Sequence, residues 1–546
     1  MLIAKMLSVA LVCRLLLFPY GASAQAVTRS PSGGELAWSL KYDPKTLDPA
    51  KVDDQASEMV RYLTGGVLLR MNRLTQRMEP ALAESWSVSG DGRAITFHLR
   101  RGLRFSDNSP LSAGDVAATL KRVLDPSTAA PVAQEFISPG KVVISVLDPL
   151  TVRIDLPKRI VSIGKIFDEI AIEPEYRPSA SRVTSGSFAL TEYKRGEFLR
   201  LQRNEHYWKR DASGRQLPYL ASVRLDILTN REQDQRRFIR GEYQLIDSLP
   251  AESYAVLARV NRDALHDLGP SLNTEQMWFN QAGGAPLPTW EKQWFQNRIF
   301  RVAVSQAIHR ADLVRIAYDG HATPASSFIS PANISWHNNQ LSPVQESISD
   351  ARQMLLKAGF RLAGVHLMDS QGHPVKFSIL TNAGNRSREK MASLIQQDLA
   401  ALGMEVNIVT LDFPALIERL LHTQDYEAAL LGLVNVDPDP SSMMNLWLSS
   451  SPNHQWNPSE KTPSTAWEAE IDQLMERQAG APNTTERKRA FDRVQEIVSE
   501  QQPFIYLVYP NMLYAVSPLL SGVELSVMQP GVVSNIDMVR WIGPGR

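Results

Sequence analysis

Between residues 376 and 434 the apolar pattern switches back and forth between the period of a strand and that of a helix. KFSILT at 376–381 alternates as a half-buried strand does, and Asn382-Ala383-Gly384-Asn385 is a turn. Met391, Leu394, Ile395, Leu399 and Leu402 recur at helical spacing. Gly403 follows, the residue commonly found just past a helix end. EVNIVTL over Glu405–Leu411 predicts a second strand, and residues 414–422 predict a short amphipathic helix with Pro414 in its first turn. YEAALLGLV at 426–434 predicts a third, buried strand. A β-α-β-α-β order implies one parallel sheet with right-handed crossovers. Its carboxyl ends, at 381–385 and 433–440, then share an edge.

The mixture recurs elsewhere. Residues 94–99 and 141–156 predict strands, and 114–124 a helix. One long helix is expected over 297–318 and a shorter one over 350–358, capped by Gly359. Thr484–Gln501 is a helix with Phe491, Val494, Ile497 and Val498 inward, begun by Thr484 or Thr485 as cap. FIYLVY at 504–509 returns as a strand. No short repeat of fixed period is present, which argues against solenoids and propellers. The class is α/β. A length of 546 residues suggests three or four units, or two large lobes.

Residues 1–24 carry Lys5, an apolar stretch and Ala22-Ser23-Ala24, the pattern of a cleavable signal peptide. Arg14 interrupts the apolar run, which argues against a retained membrane anchor. The lone cysteine, Cys13, lies in this leader, so the exported chain is expected to have none. That excludes a disulfide framework, cysteine-ligated metals and cysteine catalysis. A large secreted chain without disulfides fits a bacterial periplasm. Lys plus Arg and Asp plus Glu both number 58, which argues against nucleic acid as partner.

The motifs of nucleophilic hydrolases, zinc peptidases, nucleotide-binding loops and dinucleotide folds are all missing. The ten histidines are scattered, and neither a metal site nor a cofactor is expected. Asp53-Asp54 is expected in a solvated loop. A large exported α/β chain without a catalytic set points to binding. Ligands of open α/β sheets sit beyond the carboxyl ends of the strands. That makes Asn382, Asn385, Asn435 and Asp437 candidate ligand contacts.

Several segments, in order along the chain, resemble one family. KTLDPA at 45–50 is similar to its opening segment, and EPALAESW at 79–86 to its "P-x-L-A-x-S-W" region. TFHLRRGLRFSD at 96–107 resembles "T-F-x-L-R-x-G-V-x-F-x-D", and LSAGDV at 111–116 resembles "T-A-x-D-V". SGSF at 185–188 with LQRNEHYW at 201–208 resembles "G-P-F … L-x-R-N-x-x-Y-W". FRVAVSQAIHR at 300–310 and ARQMLLKAGF at 351–360 resemble two further family segments. Each piece is weak alone, but their collinearity is specific. The chain resembles bacterial extracellular solute-binding proteins of the dipeptide, oligopeptide and nickel type.

The resemblance implies a bilobal type II periplasmic-binding-protein fold with an extra domain in the first lobe. Lobe one is expected at 35–272 plus 503–546, with the extra domain at 59–184, and lobe two at 273–502. It implies a monomeric, non-enzymatic periplasmic receptor that captures a peptide or peptide-like solute and delivers it to ABC permease subunits in the inner membrane. The alternatives are a sensor or chaperone role, or a non-peptide solute such as a glycoside or metal chelate. In peptide-binding members an aspartate within "W-x-x-D-Y-P-D-P" pairs with the ligand's ammonium. Aligning the last Asp-Pro on Asp439-Pro440 puts Leu433 at the tryptophan and Val436 at that aspartate, whereas a shifted register makes Asp437 the partner. Trp278 and Tyr42 complete the candidate contacts as pocket aromatics, beside Trp38 and Trp447, although aromatics are large hydrophobes first.

Overall fold

The computed structural model describes residues 33–136, 140–160, 163–176, 182–434 and 437–542. The expected signal peptide, Asn435 and Val436 lie outside them.

The parallel unit forms as its periodicity predicts. Lys376–Asn382 pairs in parallel with Glu405–Leu411 on one side and with Ala428–Leu433 on the other. The connecting helix spans Arg386–Ala400, and Gly403 follows at φ +88°, a backbone that suits glycine. The second connection is a short helix, Phe413–Ile417, continued as a wider turn over Glu418–Thr423. The sheet extends through antiparallel Thr274–Phe279 to the long strand Phe504–Val516.

This sheet has two buried faces, and alternation along each strand decides which residue faces which core. Met277, Phe279, Ile379, Ala428, Leu430 and Ile505 face the core that receives Ile395 and Leu399 from the Arg386–Ala400 helix. Trp278, Leu380, Ala429, Phe504 and Tyr506 face the core that receives Phe491, Val494, Ile497 and Val498 from Thr484–Gln501. Each large apolar side chain so buried contributes about 1.5–3 kcal/mol.

Phe504–Val516 serves two bodies. Its first half pairs with Thr274–Phe279 and Ala322–Pro324; its second half pairs with Leu245–Ile246 and Leu265–Pro270. Met512, Tyr514 and Val516 pack with a separate core built on the four-stranded sheet of Glu35–Leu40, Ser222–Ile227, Phe198–Arg203 and Phe188–Lys194. The strand therefore changes cores near Pro510. A third body is the antiparallel sheet Ala83–Val88, Ala94–Leu99, Thr151–Asp155 and Val143–Asp148, packed on the helix Ala113–Leu124.

Two local expectations are corrected. The helix expected over 297–318 is interrupted: Arg298–Ala307 ends at Ile308, which is extended, and the chain resumes at Arg310–Asp312. The cause is a buried guanidinium. Arg310 donates to the carbonyls of Ser305, Ile308 and Tyr506, while the His309 N–H turns away to Asp398 Oδ2 at 2.9 Å. The cap of Thr484–Gln501 is Asn483, not Thr484 or Thr485: its side chain accepts from the Glu486 N–H at 2.9 Å. Among the described residues, no helix is long and apolar enough to cross a membrane.

Candidate functional site

A cavity of about 510 Å³ opens where the three bodies meet. The first-sheet body supplies the end of its first strand, through Tyr42, and the loop and helix that follow. The antiparallel body supplies Arg73 and the Ile163–Glu169 helix. The central sheet supplies Asp437 and Pro438, just beyond the carboxyl end of Ala428–Leu433. The volume is ordinary for a small-solute pocket.

The lining is acidic. It includes nine carboxylates and four cationic side chains. Some of that charge is internally paired. Asp168 is fully buried and sits 2.8 Å from Arg73 Nη1 and 3.3 Å from Arg70 Nη1. Burial acts to raise its pKa, but Arg73, Arg70 and Arg61 together hold it below the usual carboxylate range. Arg61 is itself fixed by Glu58 at 2.6 Å and by the Asp168 carbonyl at 3.0 Å.

The pairing is incomplete at the opposite wall. Lys165 Nζ donates to Asp437 Oδ2 and lies 3.5 Å from Glu169 Oε1. Burial works against the ammonium, but Asp437 and Glu169 together keep its pKa above that of a free lysine. Both carboxylates are pushed up, chiefly by desolvation; the charge of Asp437 adds to the rise of Glu169, and that of Asp439 to the rise of Asp437. A single ammonium is thus shared between two carboxylates, Asp437 partly buried and Glu169 46% exposed. Elsewhere in the lining, burial also raises Asp247, partly offset by Lys41.

The structure brings Tyr42 and Asp437 to the same cavity, where Tyr42 is 40% exposed. Asn382 and Asn385 serve their own loop. Asn382 accepts from Arg388 Nη1 at 2.8 Å, and Arg388 is clamped on buried Glu275 at 2.7 and 3.0 Å. Asn385 caps the helix Arg386–Ala400 by accepting from the Arg388 N–H at 3.1 Å. Trp278 is 1% exposed and belongs to the sheet core, donating to the Tyr426 hydroxyl at 3.1 Å and lying edge-on to Phe504. Trp447 is likewise core. Asp53 and Asp54 also line the cavity, and Asp54 caps the helix Gln55–Thr64. Asp439 is clamped by Arg487 through two bonds of 2.7 and 2.8 Å, which hold its pKa below the usual range against burial.

Sequence reasoning missed Lys165, Glu169 and Asp247. Lys165 and Asp437 are 272 residues apart, and no local pattern joins them.

A bilobal α/β chain with an acidic cavity between its bodies and a ligand wall at a strand's carboxyl end has the build of a solute-binding receptor. The chain belongs to the bacterial extracellular solute-binding proteins, family 5, whose profile matches residues 77–455. It is 23% identical to the oligopeptide-binding protein AppA of Bacillus subtilis over 92% of this chain and 91% of AppA. It is 25% identical to heme-binding protein A of Haemophilus influenzae over 92% of each. Its fold matches the crystal structure of the ABC transporter substrate-binding protein CtaP of Listeria monocytogenes with a TM-score of 0.78. That match has 22% identity and covers 94% of this chain and all of the other.

Proposed function

We propose that this chain is the periplasmic capture component of an ABC importer, and that its solute is peptide-like and carries an ammonium or guanidinium group. The observation that carries this reading is Lys165 shared between Asp437 and Glu169. Two carboxylates in the cavity, Asp437 at 21% and Glu169 at 46% side-chain exposure, share one cation and leave a surplus of negative charge that a solute cation offsets. Asp437 is then the ammonium partner, with Tyr42 against the solute's side and Asp247 as a second acid. Asn382 and Asn385 act by holding the loop at the end of Lys376–Asn382, and Trp278 by supporting the sheet.

Peptide-like solutes fit the relatives named for oligopeptide binding, and the family includes a member named for heme, so the pocket chemistry decides within it. The lobes close over solute and reopen at the permease, with residues 1–24 removed on export. We place the lobe boundaries at the Leu265–Pro270 to Thr274–Phe279 link and near Pro510, where the long strand changes cores. The chain binds without turnover, as a monomer.

Uptake by permease-containing vesicles tests the importer role. Vesicles with the cognate permease accumulate an amine-bearing peptide only when this chain is added, and the bound peptide is recovered unchanged. Binding with no uptake favours a sensory role, and cleavage of the peptide contradicts a pure receptor.

A further inference from the structure

Away from the cavity, beneath the helix Ala466–Gly480, three side chains from one stretch of the chain converge: His454, Glu460 and Glu468. All are out of solvent, with side-chain exposures of 1%, 4% and 3%. His454 Nε2 lies 3.5 Å from Glu460 Oε1 and 3.6 Å from Glu468 Oε1. Neither His454 Nε2 nor Glu460 Oε1 has a hydrogen-bond partner. The remaining atoms are already committed. His454 Nδ1 lies 3.1 Å from the Leu446 carbonyl, which fixes Nδ1 as the protonated nitrogen and leaves the Nε2 lone pair aimed at the two acids. Glu460 Oε2 accepts from the Ser464 N–H at 2.6 Å. Glu468 Oε2 accepts from Thr465 Oγ1 at 2.6 Å, and Glu468 Oε1, which faces His454, also accepts from Trp456 Nε1 at 2.9 Å, leaving a lone pair for a cation. Arg301, the cation that acts on Glu468, is spent on the carbonyls of Phe295, Gln501 and Gln502.

A lone pair facing two buried carboxylates needs a positive charge between them. A proton on Nε2 makes one short, charge-assisted bond of about 2.7–2.9 Å to one acid. Here the imidazole is nearly equidistant from both, and too far from either. The spacing suits a larger cation. Zinc-to-ligand bonds of about 2.0–2.2 Å in tetrahedral geometry put ligand atoms about 3.3–3.6 Å apart. All three ligand atoms lie within 4.8 Å of one another. The histidine's second nitrogen on a backbone carbonyl is the support that ligating imidazoles usually have. A divalent ion with one neutral imidazole and two carboxylates is also electrically neutral, which suits a buried site.

We propose that His454, Glu460 and Glu468 form a structural site for a divalent transition-metal ion of the zinc class. It ties the loop after the short helix Met444–Trp447 to the first turn of Ala466–Gly480. One coordination position remains for water or a backbone carbonyl.

The test is metal content of the full chain, purified without a histidine tag. The protein is stripped with chelator, equilibrated with zinc and freed of loose ions by a weak competing chelator. The wild type then retains one zinc per chain. Glu460→Gln, which keeps size and shape, and His454→Gln, which removes the imidazole, each retain less than about one-tenth of that. His422→Gln, on the surface, retains it in full. X-ray absorption of the bound zinc shows one imidazole among oxygen ligands. A folded wild type that holds no zinc overturns the proposal, as does a folded Glu460→Gln protein that holds it fully. Circular dichroism confirms folding of each variant, and the wild-type measurement stands without any of them.

Discussion

Lys165 and Asp437 form an ion pair across the cavity, joining the antiparallel body to the loop beyond the central sheet. Glu169, one helical turn on from Lys165, competes for the same ammonium at 3.5 Å. If a solute cation takes up this surplus of acid, Asp437→Asn lowers affinity for an amine-bearing solute at least tenfold, about 1.4 kcal/mol or more. Calorimetry with the free and the acetylated form of one peptide checks this. An unchanged dissociation constant for the free amine removes Asp437 from the site.

The same acids make binding depend on pH. Asp437 and Glu169 are shifted above the usual carboxylate values, chiefly by partial desolvation in the cavity. A solute cation needs them ionised, so affinity weakens as pH falls through their raised values. Lys165 stays charged throughout, because its pKa is raised. The solute-free protein behaves in the opposite sense. Burying the ionised acids costs stability above their folded values, and protonation relieves that cost as pH falls toward the ordinary carboxylate range. Melting curves with and without solute, taken across this range, therefore converge at low pH.

Glu291 offers a second, independent titration. Burial, aided by the neighbouring Glu427 carboxylate, raises its pKa from 4.5 to about 7. The folded chain holds this proton where the unfolded chain has lost it, so stability falls as pH rises between those values. Glu291→Gln flattens that part of the pH–stability profile. An identical slope in the variant shows that Glu291 does not titrate in the folded state as described.

Tyr42 and Trp278 separate binding from support. Tyr42 is half-exposed at the cavity, and Tyr42→Ala weakens solute binding with a stability change within about 0.5 kcal/mol. Trp278→Ala removes a buried indole from the sheet core and costs about 3–5 kcal/mol in denaturant unfolding.

Elements that depend on local pattern were legible in the sequence. The strand and helix periods of 376–434 and the Thr484–Gln501 helix stand as the sequence predicts. Failures occurred where a distant group decides a local matter. The interruption at Ile308 depends on Arg310 reaching the Tyr506 carbonyl and on Asp398 accepting from His309, and neither contact leaves a trace in the pattern of 297–318. For the site, the strand-end rule led to Asp437 but equally to Asn382 and Asn385, which their own loop consumes. It could not supply Lys165, because ion pairing between bodies is settled only by the assembled fold. His454, Glu460 and Glu468 were hidden for a related reason. Their spacing matches no common metal motif, and a turn and a helix start bring them together.

The proposed selectivity of the cavity is for a solute bearing a positive charge. Its most direct test is the melting temperature of ligand-stripped protein against matched pools of di- to pentapeptides, one with free amino termini and one acetylated. Binding to the native state adds RT ln(1 + [L]/Kd), about 2.7 kcal/mol at a hundredfold excess over Kd. A clear rise with the free-amine pool and a much smaller one with the acetylated pool are expected. An equal rise with both pools, or a rise with the acetylated pool alone, contradicts it.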